Sequence, residues 1–220
     1  MSGDATTARL QNLDTPAVSD ALDRLHMPGR VTGLPRLTTD RRIAGRVLTV
    51  KLGTGKALKG PPRHLCTAAV EAAGPGDVLV IEQRSGIDAA GWGGILSNGA
   101  KIRGISGVIC DGPVRDVDES RDLDFPVFGR YAIPATARGR IVEEAFNEPV
   151  TIGDVTVTPG DYVVADGSGI CFLQAAMAAR ILEVAEIIAK REALMTAAVR
   201  AGKPISEVMG ADYENMLKDV

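Results

Sequence analysis

Apolar residues along the chain fall into short runs whose spacing predicts alternating strands and helices. Residues 43–52 alternate apolar and polar side chains, as a half-buried β-strand does. Residues 76–83 and 106–110 are nearly continuous in apolar character, which is typical of strands buried on both faces of a sheet. A helical pattern lies between these last two strands, so this part of the chain predicts a β-α-β unit.

The predicted helix of this unit follows a glycine-rich turn and ends before Gly104. We expect four apolar side chains to pack it against the sheet and two basic side chains to remain in solvent. The apolar set is Ile95, Leu96, Ala100 and Ile102, and the basic set is Lys101 and Arg103.

Helical patterns also lie near both ends of the chain. From Thr15, apolar residues recur at helical spacing until the segment Met27-Pro28-Gly29 ends the helix. Residues 174–201 form the longest helical pattern, and their apolar surface is larger than a small domain needs, which favours packing against another subunit. We expect one domain over residues 1–203 and a short helical tail over residues 204–220.

The segment after the β-α-β unit is rich in strands. Residues 126–133 predict one strand, and shorter β segments follow at residues 140–142, 149–157 and 161–164, with turns between them. This change from β-α alternation to hairpins argues against a doubly wound nucleotide-binding fold, and no Gly-x-Gly-x-x-Gly follows a strand. The 220 residues are therefore expected to form an α/β domain with a sizeable core.

Composition narrows the classes of partner. The net charge is −3 and no basic stripe occurs, which argues against nucleic acid as a partner. The first residues contain no apolar signal segment and no later run is as long as a membrane span, so we expect a cytoplasmic protein without a membrane partner. Cys66, Cys110 and Cys171 lie beside apolar residues without metal-ligand spacing, which predicts buried thiols.

The glycine-rich turn Gly91-Trp92-Gly93-Gly94 is the first candidate for a binding site. Glycines at the start of a helix let an anion approach the backbone N–H groups closely, and the helix dipole favours negative charge there. We therefore expect the amides of Gly94, Ile95 and Leu96 to bind a carboxylate. Trp92 is the single tryptophan, and we expect it to form part of the pocket wall.

A cluster of opposite charges follows the strand at residues 106–110. The guanidinium of Arg115 can bind a carboxylate through two parallel hydrogen bonds. Asp116 and Glu119 are three residues apart, so at the start of a helix both would lie on one face. Their hard oxygen ligands suit Mg²⁺ or Mn²⁺, and the cluster predicts a site for a small carboxylate and a divalent cation.

Two other features are weaker candidates for a functional site. Residues 53–56 (GTGK) lack the spacing of a phosphate-binding loop and are interpreted as a mobile loop near the entrance of the site. His64 is interpreted as a surface or capping residue, because no carboxylate at helical spacing is available to orient it, and a helix is predicted from this point to Ala73.

The residues of both turns together resemble a known signature. Gly94, twenty further residues, Arg115-Asp116, two more residues and Glu119 are similar to Gly-x20-Arg-Asp-x2-Glu/Asp. That signature belongs to a family that joins the class II 4-hydroxy-4-methyl-2-oxoglutarate aldolases to the regulators of ribonuclease activity A. Further segments resemble the family in the same order, and they are VSDALD at 18–23, PGDVLV at 75–80 and GDYVVAD at 160–166.

The resemblance implies a fold and a set of site residues. The fold would be an α/β/β sandwich of the swivelling phosphohistidine-domain type with a long C-terminal helix, assembled as homotrimers or homohexamers. The characterised aldolases carry Asp at the position of Gly94, and Glu119 is expected to replace that carboxylate. A glutamate of the neighbouring subunit approaches the metal in the aldolases. Glu192 is its best match here, and a solvated surface glutamate is the alternative.

The resemblance also implies a function. It predicts a divalent-metal-dependent lyase that cleaves a 4-hydroxy-2-oxo acid to release pyruvate and decarboxylates oxaloacetate as a secondary activity. Arg115 and Asp116 would be the catalytic residues. A function of another class stays open at this point, namely a non-catalytic regulator that binds a ribonuclease or another protein, because one fold can serve both.

Overall fold

A computed structural model describes residues 5–60 and 63–210, and the bounds of its elements follow. The helices are α1 (Ala5–Leu10), α2 (Thr15–Arg24), α3 (Thr67–Ala72), α4 (Gly94–Ile102), α5 (Val117–Asp122), α6 (Ala178–Arg200) and α7 (Ile205–Val208). The strands are β1 (Arg30–Val31), β2 (Ile43–Gly53), β3 (Val78–Gln83), β4 (Gly107–Asp111), β5 (Val127–Gly129), β6 (Val142–Phe146), β7 (Val150–Ile152), β8 (Val155–Val157), β9 (Tyr162–Ala165) and β10 (Ile170–Leu173).

The long strand β2 joins the two halves of the main sheet, whose order is β1-β10-β9-β2-β3-β4-β5 with β6 also paired to β2. Its first residues, 43–46, pair antiparallel with β9, and residues 47–52 pair parallel with β3. Strands β3, β4 and β5 continue the parallel half. Strands β7 and β8 form a separate hairpin.

Three clusters of buried apolar side chains fill the space between these layers. Alternate residues of β3 point to opposite faces, so that Leu79 and Ile81 pack with α3 and α4 while Val78 and Val80 pack with the hairpin, β9 and β10. The third cluster joins α1, α2 and α6 to β9 and β10. Within the described residues the fold is therefore mixed α/β with a long C-terminal helix, as predicted, and the swivelling type stays a prediction.

Most predicted elements are present. The β-α-β unit is confirmed as β3, α4 and β4, and the predicted hairpin turn at residues 153–154 joins β7 to β8. The long helix is confirmed as α6, after a 3-10 turn at Ala175–Met177. The sequence patterns missed α1, β1 and β10. The proposed boundary between residues 203 and 204 stays a prediction, and residues 211–220 of the tail lie outside the described residues.

The prediction for the apolar face of α4 is half wrong. Leu96 and Ala100 are buried as expected, but Ile95 and Ile102 are 85% and 86% exposed. Residues seven apart lie on one side of a helix, and on α4 this side is turned away from the sheet because Ser97 takes an inward position. The exposed pair leaves an apolar stripe on the surface.

The cysteine prediction is confirmed, since Cys66, Cys110 and Cys171 are buried free thiols. Burial raises the pKa of Cys66 and Cys110 well above the ordinary value and the pKa of Cys171 to about 12. These thiols are therefore protonated and unreactive at neutral pH. None of the described helices combines the length and the apolar character that crossing a membrane requires.

Replacing one buried and one exposed isoleucine by alanine tests this packing. Ile109→Ala in β4 removes a fully buried side chain and is expected to lower the free energy of unfolding by about 2–5 kcal/mol, because a cavity remains. Ile102→Ala, matched in chemistry, is expected to change it by less than about 0.5 kcal/mol. Urea unfolding followed by circular dichroism at one protein concentration measures both. A large loss for Ile102→Ala would show that its side chain is covered.

Candidate active site

Two turns at the carboxyl ends of neighbouring parallel strands form the candidate site. The first turn follows β3 and leads into α4, and the second follows β4 and leads into α5. Backbone hydrogen bonds join them, from Gly91 N to Pro113 O at 2.8 Å and from Arg115 N to Trp92 O at 3.0 Å. Ligands of open α/β sheets usually bind at this end of the strands, and here the two chemically promising segments meet there.

Asp116 connects the second turn to the first. Its backbone is left-handed, with φ 55° and ψ 39°, a conformation that Asp tolerates better than most residues. Although Asp116 is the N-cap residue of α5, its side chain makes no capping hydrogen bond. The carboxylate instead accepts from Gly94 N at 2.9 Å through Oδ2, which also lies 3.3 Å from Arg115 Nε. The backbone conformation thus directs this carboxylate towards the glycine turn.

Glu119 lies directly over Gly94. Its Oε1 accepts a hydrogen bond from Asn98 Nδ2 at 2.7 Å, and its Oε2 occupies the place where a Cβ on Gly94 would be built. A Cβ on Gly93 would likewise lie 2.9 Å from Asp116 Oδ2. A side chain at either position would therefore displace a carboxylate from its present place. The structure brings together Gly94, Arg115, Asp116 and Glu119, which the sequence places up to 25 residues apart.

A buried polar chain holds the two helices of the site together. Trp92 Nε1 donates to Ser97 Oγ at 2.8 Å, and Ser97 Oγ lies 2.8 Å from Ser120 Oγ on α5. The indole ring also stacks on Phe125 with 6.3 Å between centroids. The predicted role of Trp92 as a wall residue fits this packing. Sequence patterns did not point to the two serines, because each has an ordinary helical context and its partner is distant in the chain.

The site opens into a cavity of about 280 Å³. Among its lining residues are Arg115, Asp116, Gly94, Ile95 and Leu96. The prediction that three backbone amides bind a carboxylate is wrong for one of them, because Gly94 N already donates to Asp116. The amides of Ile95 and Leu96 donate to no acceptor in the described chain, so two N–H groups at the N-terminus of α4 remain for an anion.

His64 lines the same cavity, which sequence reasoning did not anticipate. The helix predicted from this residue begins only at Thr67, whose hydroxyl donates to His64 O at 2.7 Å. Burial lowers the pKa of His64, and the positive charges of Arg138 and Arg115 lower it further. The imidazole is therefore neutral at pH 7. The two arginines are 51 and 74 residues away in the chain, so no local spacing could have indicated this environment.

Glu192 lies on a different part of the molecule. It belongs to α6, and burial together with the nearby charges of Asp20 and Asp14 raises its pKa. Within the described chain it is not among the residues that line the cavity. Its expected approach to the metal of a neighbouring subunit stays a prediction.

Comparison with known proteins gives one relative of similar length and one that is much longer. A protein of Halalkalibacterium halodurans named "Putative 4-hydroxy-4-methyl-2-oxoglutarate aldolase" is 29% identical over 178 residues, which are 81% of this chain and 80% of that protein. Protein DlpA of Legionella pneumophila is 28% identical over 162 residues, and the match covers 74% of this chain but only 26% of DlpA.

Solved structures share the fold. An uncharacterised protein from Pseudomonas syringae pv. tomato superposes with a TM-score of 0.83 at 26% identity, over 94% of both chains. Streptomyces coelicolor RraAS2, described as an unusual member of the RNase ES inhibitor RraA protein family, has a TM-score of 0.78 at 24% identity and covers 89% of this chain and 99% of its own.

The family comparison agrees with the resemblance of the two turns. The family model described as RraA-like, Aldolase/RraA, matches residues 15–172, which include every element of the site described above. The chain belongs to the RraA-like aldolase/RraA family.

Proposed function

We propose that the protein is a divalent-metal-dependent lyase that cleaves a 4-hydroxy-2-oxo acid and releases pyruvate. The observation that carries this proposal is the meeting of Arg115 and Asp116, 3.3 Å apart, with two open amides at one cavity. A guanidinium, carboxylates and a helix N-terminus together suit a small acid that carries a neighbouring keto group. The relative named as an aldolase supports the same class of reaction.

The substrate would bind through its 2-oxo acid end. Its carboxylate would accept hydrogen bonds from the amides of Ile95 and Leu96, where the dipole of α4 favours negative charge. The guanidinium of Arg115, 37% exposed in the cavity, would then lie beside the keto oxygen. Trp92 is buried and forms part of the cavity wall.

The reaction releases one proton on cleavage and takes one up when the product forms. The 4-hydroxyl group would give its proton to water in the cavity, its oxygen would become a carbonyl oxygen, and the C3–C4 bond would break. The electron pair of that bond forms the enolate of pyruvate, whose negative oxygen is stabilised by Arg115 because a fixed positive charge costs no reorganisation. Water would then return a proton to C3, which gives pyruvate. Oxaloacetate would lose CO₂ through the same enolate, which makes decarboxylation the expected secondary activity.

The chain offers ligands that suit Mg²⁺ or Mn²⁺. Asp116 and Glu119 each present a carboxylate oxygen close to Gly94, and they would hold the cation. Among the described residues no group of three or more His, Cys, Asp or Glu side chains could hold a metal. Two carboxylates are nevertheless sufficient for Mg²⁺, which usually keeps several waters and takes oxygens from its substrate. When bound, the cation would act as a Lewis acid on the keto oxygen.

The rival function is a non-catalytic regulator that binds a ribonuclease or another protein. The likeness to RraAS2 favours it, because that protein is described within an RNase inhibitor family. The retained pair Arg115 and Asp116 favours catalysis, since a regulator would not need both groups beside a cavity. We also propose, from the resemblance, that the protein is cytoplasmic and assembles as homotrimers or homohexamers.

Activity assays with matched variants separate the two functions. Purified protein with Mg²⁺ is expected to release pyruvate from oxaloacetate and from 4-hydroxy-4-methyl-2-oxoglutarate, and a chelator is expected to stop both reactions. Arg115→Gln and Asp116→Asn should each lower kcat/KM at least about 10²-fold, because each removes charge from the reacting centre. The control pair is Arg121→Gln and Asp118→Asn, which neutralises an exposed ion pair on α5.

Pyruvate can be measured with a coupled dehydrogenase. The control variants are expected to keep wild-type kcat/KM within about twofold, in line with the small worth of exposed ion pairs. Wild-type protein that releases no pyruvate with any divalent cation would favour the regulator. Equal losses of kcat/KM in the site variants and in the control variants would contradict the roles assigned to Arg115 and Asp116.

Exchanging the carboxylate between positions 94 and 119 tests the metal site. Gly94→Asp alone should lower activity, because its side chain overlaps Glu119, and Glu119→Ala alone should weaken Mn²⁺ binding by removing one ligand. The double variant restores both space and charge, so it should bind Mn²⁺ at least about tenfold more tightly than Glu119→Ala. Electron paramagnetic resonance of free Mn²⁺ measures binding without turnover. A double variant no better than the single variants would contradict the shared role.

A further inference from the structure

Cleavage of a 4-hydroxy-2-oxo acid requires a base for the proton of the 4-hydroxyl group, whereas decarboxylation of oxaloacetate does not. In the first reaction the oxygen on C4 becomes a carbonyl oxygen, so its proton has to leave. In the second reaction the leaving group is CO₂, which carries no such proton. A residue that serves as this base therefore affects the two reactions very differently.

Among the described residues, the cavity at the glycine turn is lined by few groups that can accept a proton. The titratable ones are His64, Arg115, Asp116 and Arg138. Arginine side chains stay protonated in proteins and have no acceptor atom. The carboxylate of Asp116 accepts from Gly94 N at 2.9 Å and lies 3.3 Å from Arg115 Nε, so it is already engaged.

His64 is the remaining group, and its imidazole is available to accept a proton. Neither ring nitrogen makes a hydrogen bond or an ion pair with residues 5–60 or 63–210. Burial and the positive charges of Arg138 and Arg115 lower the pKa of His64 below 6.5, and the negative charge of Glu143 opposes them. The ring is therefore neutral at pH 7, which is the form that a general base needs.

The backbone that carries His64 is held in place by its neighbours. The carbonyl oxygen of His64 accepts from Thr67 Oγ1 at 2.7 Å. Leu65 and Cys66, which follow in the chain, are buried, and Cys66 N donates to Glu143 Oε2 at 2.6 Å. The imidazole thus reaches the cavity from a fixed segment, as proximity catalysis requires.

We infer that His64 is the general base of the cleavage and accepts the 4-hydroxyl proton through one water in the cavity. The inference rests on the proposed function. The electron pair of the O–H bond forms the new carbonyl bond, the pair of the C3–C4 bond forms the enolate, and the imidazole gains one positive charge. His64 is exposed and also lines an adjoining cavity of about 240 Å³, so it returns the proton to bulk water before the next turnover.

The ratio of two kcat/KM values, 4-hydroxy-4-methyl-2-oxoglutarate over oxaloacetate, tests this assignment. His64→Asn is expected to lower the ratio at least about 10²-fold, because general bases contribute this much or more and only the cleavage uses one. The control is His26→Asn, which changes the other histidine of the chain. His26 is not among the described residues that line the cavity, so this variant should keep the wild-type ratio.

The possible outcomes separate this inference from the proposed function. A wild-type ratio in His64→Asn would overturn the base, whether both reactions slow equally or neither slows. Wild-type protein that decarboxylates oxaloacetate but cleaves no 4-hydroxy acid would also overturn it. Release of pyruvate from neither substrate would overturn the proposed function and the inference together. The oxaloacetate reaction also shows whether each variant is folded and binds the cation.

The pH profile of the wild-type protein gives a readout that requires no substitution. Because the base acts only when it is unprotonated, the ratio should fall about tenfold per pH unit below the pKa of His64 and level off above it. Effects of pH that both reactions share, such as weaker binding of the cation, cancel in the ratio. Arg138→Gln removes one positive charge that lowers this pKa, so it should move the fall to higher pH.

Nitrogen-15 NMR of the imidazole rings measures the same pKa without turnover. The chain has two histidines, and His64→Asn assigns their signals. The pKa of His64 in substrate-free protein with Mg²⁺ should agree with the inflection of the kinetic ratio, and Arg138→Gln should raise both values together. A ratio that stays constant while His64 titrates would contradict its role as the base.

Discussion

The hydrogen bond from Gly94 N to Asp116 Oδ2 is the contact on which the geometry of the candidate site depends. It joins the N-terminus of α4 to the turn before α5, and each of these segments continues from its own parallel strand. Asp116 reaches Gly94 only because its backbone adopts a left-handed conformation. The small local cost of that conformation is offset by the hydrogen bond and by the nearby charge of Arg115.

In the site, the position of one carboxylate depends on the room that a neighbouring glycine leaves for it. Glycine at position 94 leaves room for the carboxylate of Glu119, which comes from the next helix and not from the glycine turn. A side chain at 94 and the present position of Glu119 exclude each other. The number of carboxylates near the cavity can therefore be kept while their origin changes. The candidate site thus keeps two carboxylates close to Gly94, those of Asp116 and Glu119, although position 94 itself carries none.

Sequence patterns predicted the β-α-β unit and both turns because these features depend on local spacing. Leu79 and Val108 belong to apolar runs that only buried strands provide, and glycines at a helix start have a local meaning. The parts that sequence reasoning missed depend on contacts across the fold. Ile95 and Ile102 are apolar but exposed, since the rotation of α4 is set by packing around Ser97 and Trp92.

His64 and Arg138 illustrate the same limit for the site. Each lies in a loop whose own sequence has no recognisable pattern, and they meet only after the chain has returned to the carboxyl ends of β3 and β4. The resemblance to the family gave Arg115, Asp116 and Glu119 directly, because these residues lie within one short segment. It gave no information about side chains brought in from other loops.

Strand β2 has a consequence for how the molecule can be divided. It is hydrogen-bonded to β9 at its beginning and to β3 and β6 further on, so one continuous strand is a structural member of both halves of the sheet. Cutting the chain between those halves would leave each fragment with an unpaired edge and an uncovered apolar face. The half that carries the candidate site and the half that carries α6 are therefore expected to unfold as one cooperative unit.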